Sequence, residues 1–411
     1  MTRGKVDLLV FQTAYPLRFM KERGLEVYLD TKDPGGFFDR VITINTVASL
    51  QDETYFNTGP LYRKSSISPR KIVIECGHAI KVLRGKFRKL GFIFSQLYFF
   101  FRFFTEFEWR DVKAIYADDP EYNGILGLLL SKILRKPLIV GIWGNPARIR
   151  ATTKKPLMPG LFQSIKTEEF VERYVLLHAD ALQVQNNENS LYPLSLGIDK
   201  SKISILPLAV GISEFHFLGV SERASIDFEK FQKFKQNIVC VSRLEQVKHV
   251  DQVIKAFSLL GSNKSNSILH LIGAGEEENK LREITKNLKL EDQVVFHGAK
   301  SQEWISSFLP KMDLAIAPLT GRALLEIGLS GLPVVAYDVD WHNEIVIQGE
   351  TGILVKYQDI AQLSKAIEYF FTLTESQRAL LGKNMRQKAL SLCDRNYLNK
   401  KQNSFYRNFI D

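Results

Sequence analysis

The chain is short of the residues that announce chemistry by their number alone. Its 411 residues hold three cysteines, Cys76, Cys240 and Cys393, too far apart in sequence to form a metal-ligand pattern or a disulfide framework. Seven histidines show no paired spacing, so no protein-bound structural metal is expected. Long apolar runs are missing as well: the most apolar stretch, Leu90 to Phe101, falls short of the roughly 20 residues that a bilayer-crossing helix needs. No N-terminal stretch has the charged start, apolar middle and small-residue cleavage site of a signal peptide, which makes a cytoplasmic protein the expectation. Repeats and low-complexity tracts are absent too. These absences exclude a disulfide scaffold, a zinc module and a membrane-spanning protein.

Acid is scarce in one place. The net charge is +10, and between Arg63 and Arg102 ten basic residues face a single acid, Glu75. This span includes Arg84, Lys86, Arg88 and Lys89, and it runs into an aromatic segment with Phe92, Tyr98, Phe99, Phe100, Phe101, Phe103, Phe104 and Phe107. Cations beside aromatics at helix length suit a helix lying on an anionic membrane surface. The plainer reading is a core helix behind a basic loop, and nucleic-acid binding is disfavoured.

What is present is an alternation of short apolar strands with helical stretches. Val6–Thr13, Arg40–Val47, Lys71–Glu75, Ala114–Ala117, Pro137–Trp143, Ala181–Gln185 and Ser204–Leu206 read as strands, with helices over Leu17–Arg23, Asn123–Leu134 and Thr167–His178. Strands separated by helices imply parallel βαβ units, which bind ligands beyond the carboxyl ends of their strands. Asp118, Asp119, Gly144 and Asn145 fall at such ends. The pattern lapses from Val210 to Ser225 and resumes with strands at Ile238–Ser242, Ser267–Ile272 and Gln293–His297, then Ile353–Val355 and a helix over Ile360–Phe371.

One stretch organises this second half. Residues 316–336 read IAPLTGRALLEIGLSGLPVVA: a strand ending at Pro318, a turn at Thr320 and Gly321, a helix from about Arg322 to Ser330, and a second strand. A helix start carries unpaired N–H groups that favour an anion. Glu326 is set among Ala323, Leu324, Leu325, Ile327 and Leu329, where an unpartnered carboxylate is expensive. Ligand hydroxyls could supply the missing donors, or the residue could lie on a solvated helix face. Arg243 and Lys248 follow the strand ending at Ser242 and could neutralise a diphosphate. Arg243 could equally pair with Glu245. Gly273-Ala274-Gly275 resembles part of a nucleotide loop but lacks the third glycine of the dinucleotide fingerprint, so no nicotinamide cofactor is expected.

In sequence order, VSRLEQVKHVDQVIKAF from Val241, LIGAGEEENKLRE from Leu271 and the run from Val294 through Val355 resemble the donor-binding domain of family 4 glycosyltransferases. The resemblance is clear over about residues 237–371 and fainter over 112–211. It implies an α/β protein of GT-B fold: two Rossmann-like parallel-sheet domains facing across a cleft, retaining and metal-independent. The expected domains are 1–215 for the acceptor, 216–390 for the nucleotide-sugar donor, and a helix over 391–411 returning to the first domain. By this resemblance Arg243 and Lys248 bind the donor diphosphate, Glu326 holds the ribose, and Gly273, Gly275, Gly321, Arg322 and Glu344 complete the donor site. Asp119 and Asn145 are the acceptor candidates. The implied partners are a nucleoside-diphosphate sugar as substrate, an acceptor glycan or glycolipid, and an anionic membrane surface, with no cofactor and no nucleic acid. The protein would be peripheral to the inner membrane face. Four features depart from the family. Pro318 stands where the first glutamate of the E-x7-E motif belongs, the following loop is about four residues shorter, Trp143 replaces a common histidine, and the glycine pair usual after the first strand is not evident. A catalytically silent partner of an active transferase is one alternative reading, and a related sugar-nucleotide epimerase is another.

Overall fold

The computed structural model describes the chain apart from residues 1–4, 14, 23–24, 49–59, 77–87, 207–211, 219–227, 262–263 and 411, and apart from the side chains at 27, 88, 89 and 264. Its first strands are β1 (Asp7–Phe11), β2 (Arg40–Asn45), β3 (Tyr62–Ser68) and β4 (Lys71–Cys76), with helix α1 (Leu17–Glu22) after β1. There follow α2 (Arg88–Glu106), β5 (Val112–Ala117), α3 (Tyr122–Leu134), β6 (Leu138–Ile142), α4 (Pro146–Thr153), α5 (Ile165–His178), β7 (Ala181–Val184), α6 (Asn187–Ser195) and β8 (Ile203–Ile205). The second series runs β9 (Gln236–Val241), α7 (Val250–Ser258), β10 (Ser267–Ile272), α8 (Glu278–Asn287), β11 (Val294–Gly298), α9 (Gln302–Phe308), β12 (Leu314–Ala317) and α10 (Ala323–Leu329). It ends with β13 (Val334–Asp338), α11 (His342–Ile345), β14 (Gly352–Lys356), α12 (Ile360–Thr372), α13 (Glu375–Leu392) and α14 (Arg395–Ile410).

Two compact units result. The first comprises residues 1–146, 155–207 and 395–411, the second 147–154 and 208–394. The first unit's sheet has eight strands in the order β3-β4-β2-β1-β5-β6-β7-β8, the second's six in the order β11-β10-β9-β12-β13-β14. Strands buried on both faces must be apolar along their whole length, and Leu8, Leu9, Val10 and Phe11 of β1 are all fully buried. The helices show the other periodicity: Val250, Val253, Ile254 and Phe257 put one face of α7 into the second core.

One strand departs from the expected all-parallel arrangement. β3 pairs antiparallel with β4 at the sheet edge, with a register shift between Ser66 and Ser68. Its residues, YRKSSIS, are mostly polar because an edge strand has a solvated side, so no apolar run marks it. Differences elsewhere are at element ends: the helix expected over 322–330 spans Ala323–Leu329, and that over 167–178 starts at Ile165. Residues 375–410 form two helices separated at Cys393 and Asp394. Much of the lapse at 210–225, along with Arg84 and Lys86, lies outside the described residues, as do the side chains of Arg88 and Lys89.

Candidate functional site

In the second unit β10, β9, β12 and β13 are adjacent and parallel. The segments that follow them therefore emerge along one edge of one sheet. Gly273–Gly275 follow β10, Arg243 and Lys248 follow β9, Gly321, Arg322 and Glu326 follow β12, and Glu344 follows β13. Every donor-site residue named from the sequence thus belongs to the carboxyl edge of four neighbouring strands.

The first two loops are fastened together through their backbones. Leu244 N–H donates to Ala274 O (3.0 Å) and Glu277 N–H to Leu244 O (2.9 Å). A Cβ on Gly273 would lie 1.8 Å from Ser242 O, and one on Gly275 2.2 Å from Leu244 O. These glycines let two main chains touch, and so fix the loop that carries Arg243. The Arg243 side chain is exposed and pairs with Glu245. Lys248 is half-buried; burial and then the Arg243 charge lower its pKa, while Glu245 and Asp340 oppose the shift. The Arg243 charge that disfavours the charged form of Lys248 would be offset by an added anion, so an anion is welcome there.

Glu326 is 5% exposed, which rules out the solvated helix face. Burial pushes its pKa up, opposed by the Arg322 charge and by a hydrogen bond from Gln302. Gln302 Oε1 in turn accepts from His216 Nε2 at 2.7 Å. A carboxylate has about four acceptor positions, so capacity for ligand hydroxyls remains. Gly321 lies in open space, with no atom within 4 Å of an added Cβ.

The turn before α10 is clamped from α11. His342, fully buried, donates through Nδ1 to Tyr337 O (2.8 Å) and accepts at Nε2 from Thr320 N–H (3.0 Å). Trp341 Nε1 donates to Thr320 O at 3.2 Å. Burial, with the charges of Lys248 and Arg148, lowers the His342 pKa to about 4, so the ring stays neutral and can accept. Glu344, half-buried in the same short helix, places its N–H on Trp341 O. Sequence reasoning missed Gln302, Trp341 and His342, whose parts depend on partners about 20 residues away in the chain.

A cavity of about 230 Å³ lies beside this edge, lined by Glu245, His249, Asp251, Glu277 and Lys280 among others. It includes neither Lys248 nor Glu326, and its acidic walls have the wrong sign for a diphosphate.

In the first unit, Asp119 follows β5 and accepts from both the N–H and the side-chain amide of Asn123 in the first turn of α3. Burial and the neighbouring Asp118 raise its pKa to about 7. Its carboxylate is therefore committed to the helix start. Asn145 is half-buried in the turn between β6 and α4. Beside them the buried Lys32 pairs with Asp118 and lies 3.8 Å above the Trp143 ring, a cation–aromatic contact that the sequence did not suggest. Among the described residues no group of histidines, cysteines and acids could hold a metal ion.

Residues 222–388 match the model for glycosyl transferases group 1. Over 139 residues the chain is 34% identical to an exopolysaccharide phosphotransferase of Streptomyces coelicolor, a match covering 32% of this chain and 14% of that protein. Four curated relatives are matched over only 14% to 32% of their own length. Whole-chain likeness is to solved structures. Sucrose-phosphate synthase of Thermosynechococcus elongatus superposes with a TM-score of 0.73 at 15% identity, covering 98% of this chain and 99% of that one. HepE of Anabaena, solved with UDP, superposes with a TM-score of 0.67 at 16% identity, over 98% and 100% of the two chains. The sheet edge just described lies within the matched segment. Residues 222–388 are thus similar to the group 1 glycosyl transferases, and the chain as a whole has the two-sheet α/β GT-B fold of the superposed structures.

Proposed function

We propose that this protein transfers a sugar from a nucleoside-diphosphate sugar to an acceptor hydroxyl, with retention at the anomeric carbon. The acceptor is a lipid-linked glycan or growing polysaccharide at the cytoplasmic membrane face. The observation that carries the reading is the placement of two cations, Arg243 and Lys248, and the buried carboxylate Glu326 behind adjacent parallel strands. Departure of a diphosphate needs charge stabilisation more than it needs a protein nucleophile, and Arg243 and Lys248 supply it. Glu326 takes the ribose hydroxyls, and Arg322, beside Gly321, occupies the space left by the shortened loop. The departing phosphate oxygen accepts the proton of the incoming hydroxyl. Asn145 contacts the acceptor. The UDP held by HepE supports a uridine diphosphate donor.

Thermal shift and titration calorimetry with UDP, GDP and ADP test this, because a ligand that binds only the native state raises its melting temperature. Arg243→Ala and Lys248→Ala should each weaken nucleotide binding roughly 10- to 100-fold, the loss of one charge-assisted hydrogen bond. Glu326→Leu should weaken nucleoside diphosphate binding and leave pyrophosphate binding alone. If no nucleoside diphosphate binds, the reading fails. Pro318 in place of the first motif glutamate favours a second reading, a silent partner that binds donor without turnover; sugar-nucleotide hydrolysis by the purified chain separates the two.

A further inference from the structure

The first unit carries a broad apolar surface that nothing in the described structure covers. On α2 the outward side is the apolar one: Leu90, Ile93, Phe94, Leu97, Tyr98 and Phe101 are all exposed, Leu97 by 62% and Phe101 by 64%. These positions recur at the three- and four-residue spacing of a single helix face. The inward side, with Phe99 and Phe103 fully buried, is apolar as well. A helix that is apolar on both sides normally has both sides covered.

The next two helices continue the surface. Ile125, Leu129 and Ile133 form an exposed stripe on α3, and Phe170, Tyr174 and Leu177 another on α5, with Leu129 61% and Phe170 69% exposed. Helix α2 meets the start of α3 where Tyr122 Oη donates to Gln96 Oε1 (3.3 Å). α3 packs on α5 closely enough that a Cβ on Gly124 would lie 2.7 Å from Val175 Cγ1. All three helices pack on one core cluster against one face of the sheet, so their outward sides share a direction. The result is a plate of three apolar stripes, well beyond the isolated apolar residues that soluble surfaces ordinarily show.

We infer that this plate docks in the plane of an anionic lipid bilayer, with the outward side chains of α2 entering the hydrocarbon boundary. Charge selects this occupant. The sequence has no acid between Glu75 and Glu106 but six basic residues there, and Lys132 and Arg135 lie exposed at the end of α3. Basic residues flanking an apolar helix face match anionic headgroups. A second copy of the chain is a poorer fit, because a two-fold contact sets like patch against like patch and brings the basic stretches together. Among the described residues no helix is long and apolar enough to cross a membrane, consistent with lying on the bilayer. The surface deepens the proposed membrane-borne acceptor and rests on that reading for its purpose, while its own test is independent of catalysis.

Flotation of the full chain with vesicles of phosphatidylglycerol and phosphatidylcholine, against phosphatidylcholine alone, measures the docking. The wild type should float with the mixed vesicles and at least tenfold less with the neutral ones. Leu97→Glu with Phe101→Glu should cut the bound fraction at least tenfold, and Leu129→Glu with Phe170→Glu about threefold. An unchanged melting temperature and UDP affinity would separate surface loss from misfolding, with the milder Leu97→Gln as a second variant. The proposal is overturned if the wild type does not float, if the glutamate variants float as well as the wild type, or if light scattering finds a dimer that these substitutions split while vesicles go unbound. Loss of UDP binding with flotation intact would sink the donor assignment and leave the docking surface standing.

Discussion

Glycine at 273 and carboxylate at 326 show two ways in which a single residue can be constrained. Gly273 has φ +143° and faces Ser242 O at a distance that no Cβ tolerates. Gly273→Ala must therefore push apart the two loops that position Arg243. The expected cost is about 1–3 kcal/mol in urea unfolding, together with weaker nucleotide binding; a variant as stable and as tight-binding as the wild type would mean that the loop contact is dispensable. Glu326 was legible in the sequence as a carboxylate in apolar company, but its donor Gln302 was not, because 24 positions of chain separate them. Asp119 was legible only as an acid at a strand end. Its bonds to Asn123 give it a local job that position alone could not distinguish from ligand binding.

Among the elements, α11 decides how the turn before α10 is held. It has four residues, too few to form alone, and it exists because Trp341 and His342 are anchored in the core. The His342 pKa lies near 4, below the ordinary histidine value, as do His270 at about 3 and His297 at about 4, all mainly through burial. These rings fold neutral. Their contribution is complete above the unfolded value of about 6.5 and is lost as pH falls toward about 4, since only the unfolded chain takes up protons in that window. Asp33 and Asp119, raised to about 6 and about 7 by burial, act with the opposite sign in the same window, so the test is a difference: between pH 7 and pH 4.5 His342→Leu should lose less melting temperature than the wild type, while being less stable at pH 7. A His342→Leu variant with the same pH dependence as the wild type would contradict the neutral assignment. The strand-helix alternation behind this arrangement was readable because period and composition are local. β3 was not, since pairing along an edge is set by its neighbour β4.

At the scale of the whole molecule, the last helix belongs with the first sheet. Helix α14 places Phe405 and Tyr406 in a cluster with Leu8, Val10 and Tyr116. Tyr406 Oη and Gln402 Nε2 both donate to Lys32 O. Tyr406→Ala removes a fully buried ring and should cost about 3–5 kcal/mol, seen as earlier urea unfolding of the first unit. The second unit should still bind nucleotide, because its core is assembled from residues 208–394. Loss of nucleotide binding in parallel with the first unit's unfolding would show that the two units do not fold separately.

Sequence by itself determined the apolar strands, the amphipathic helices, among them the one that carries Glu326, and the loops where cations and glycines fall, because each depends on spacing within a few residues. Tertiary structure decided which strands are neighbours, and hence that the segments carrying Arg243, Gly273 and Glu326 leave one sheet edge. It also decided which side of α2 faces outward. Both sides of that helix are apolar, so periodicity could not choose between them; only packing against the sheet, which buries Phe99 and Phe103, leaves Leu97 and Phe101 at the surface.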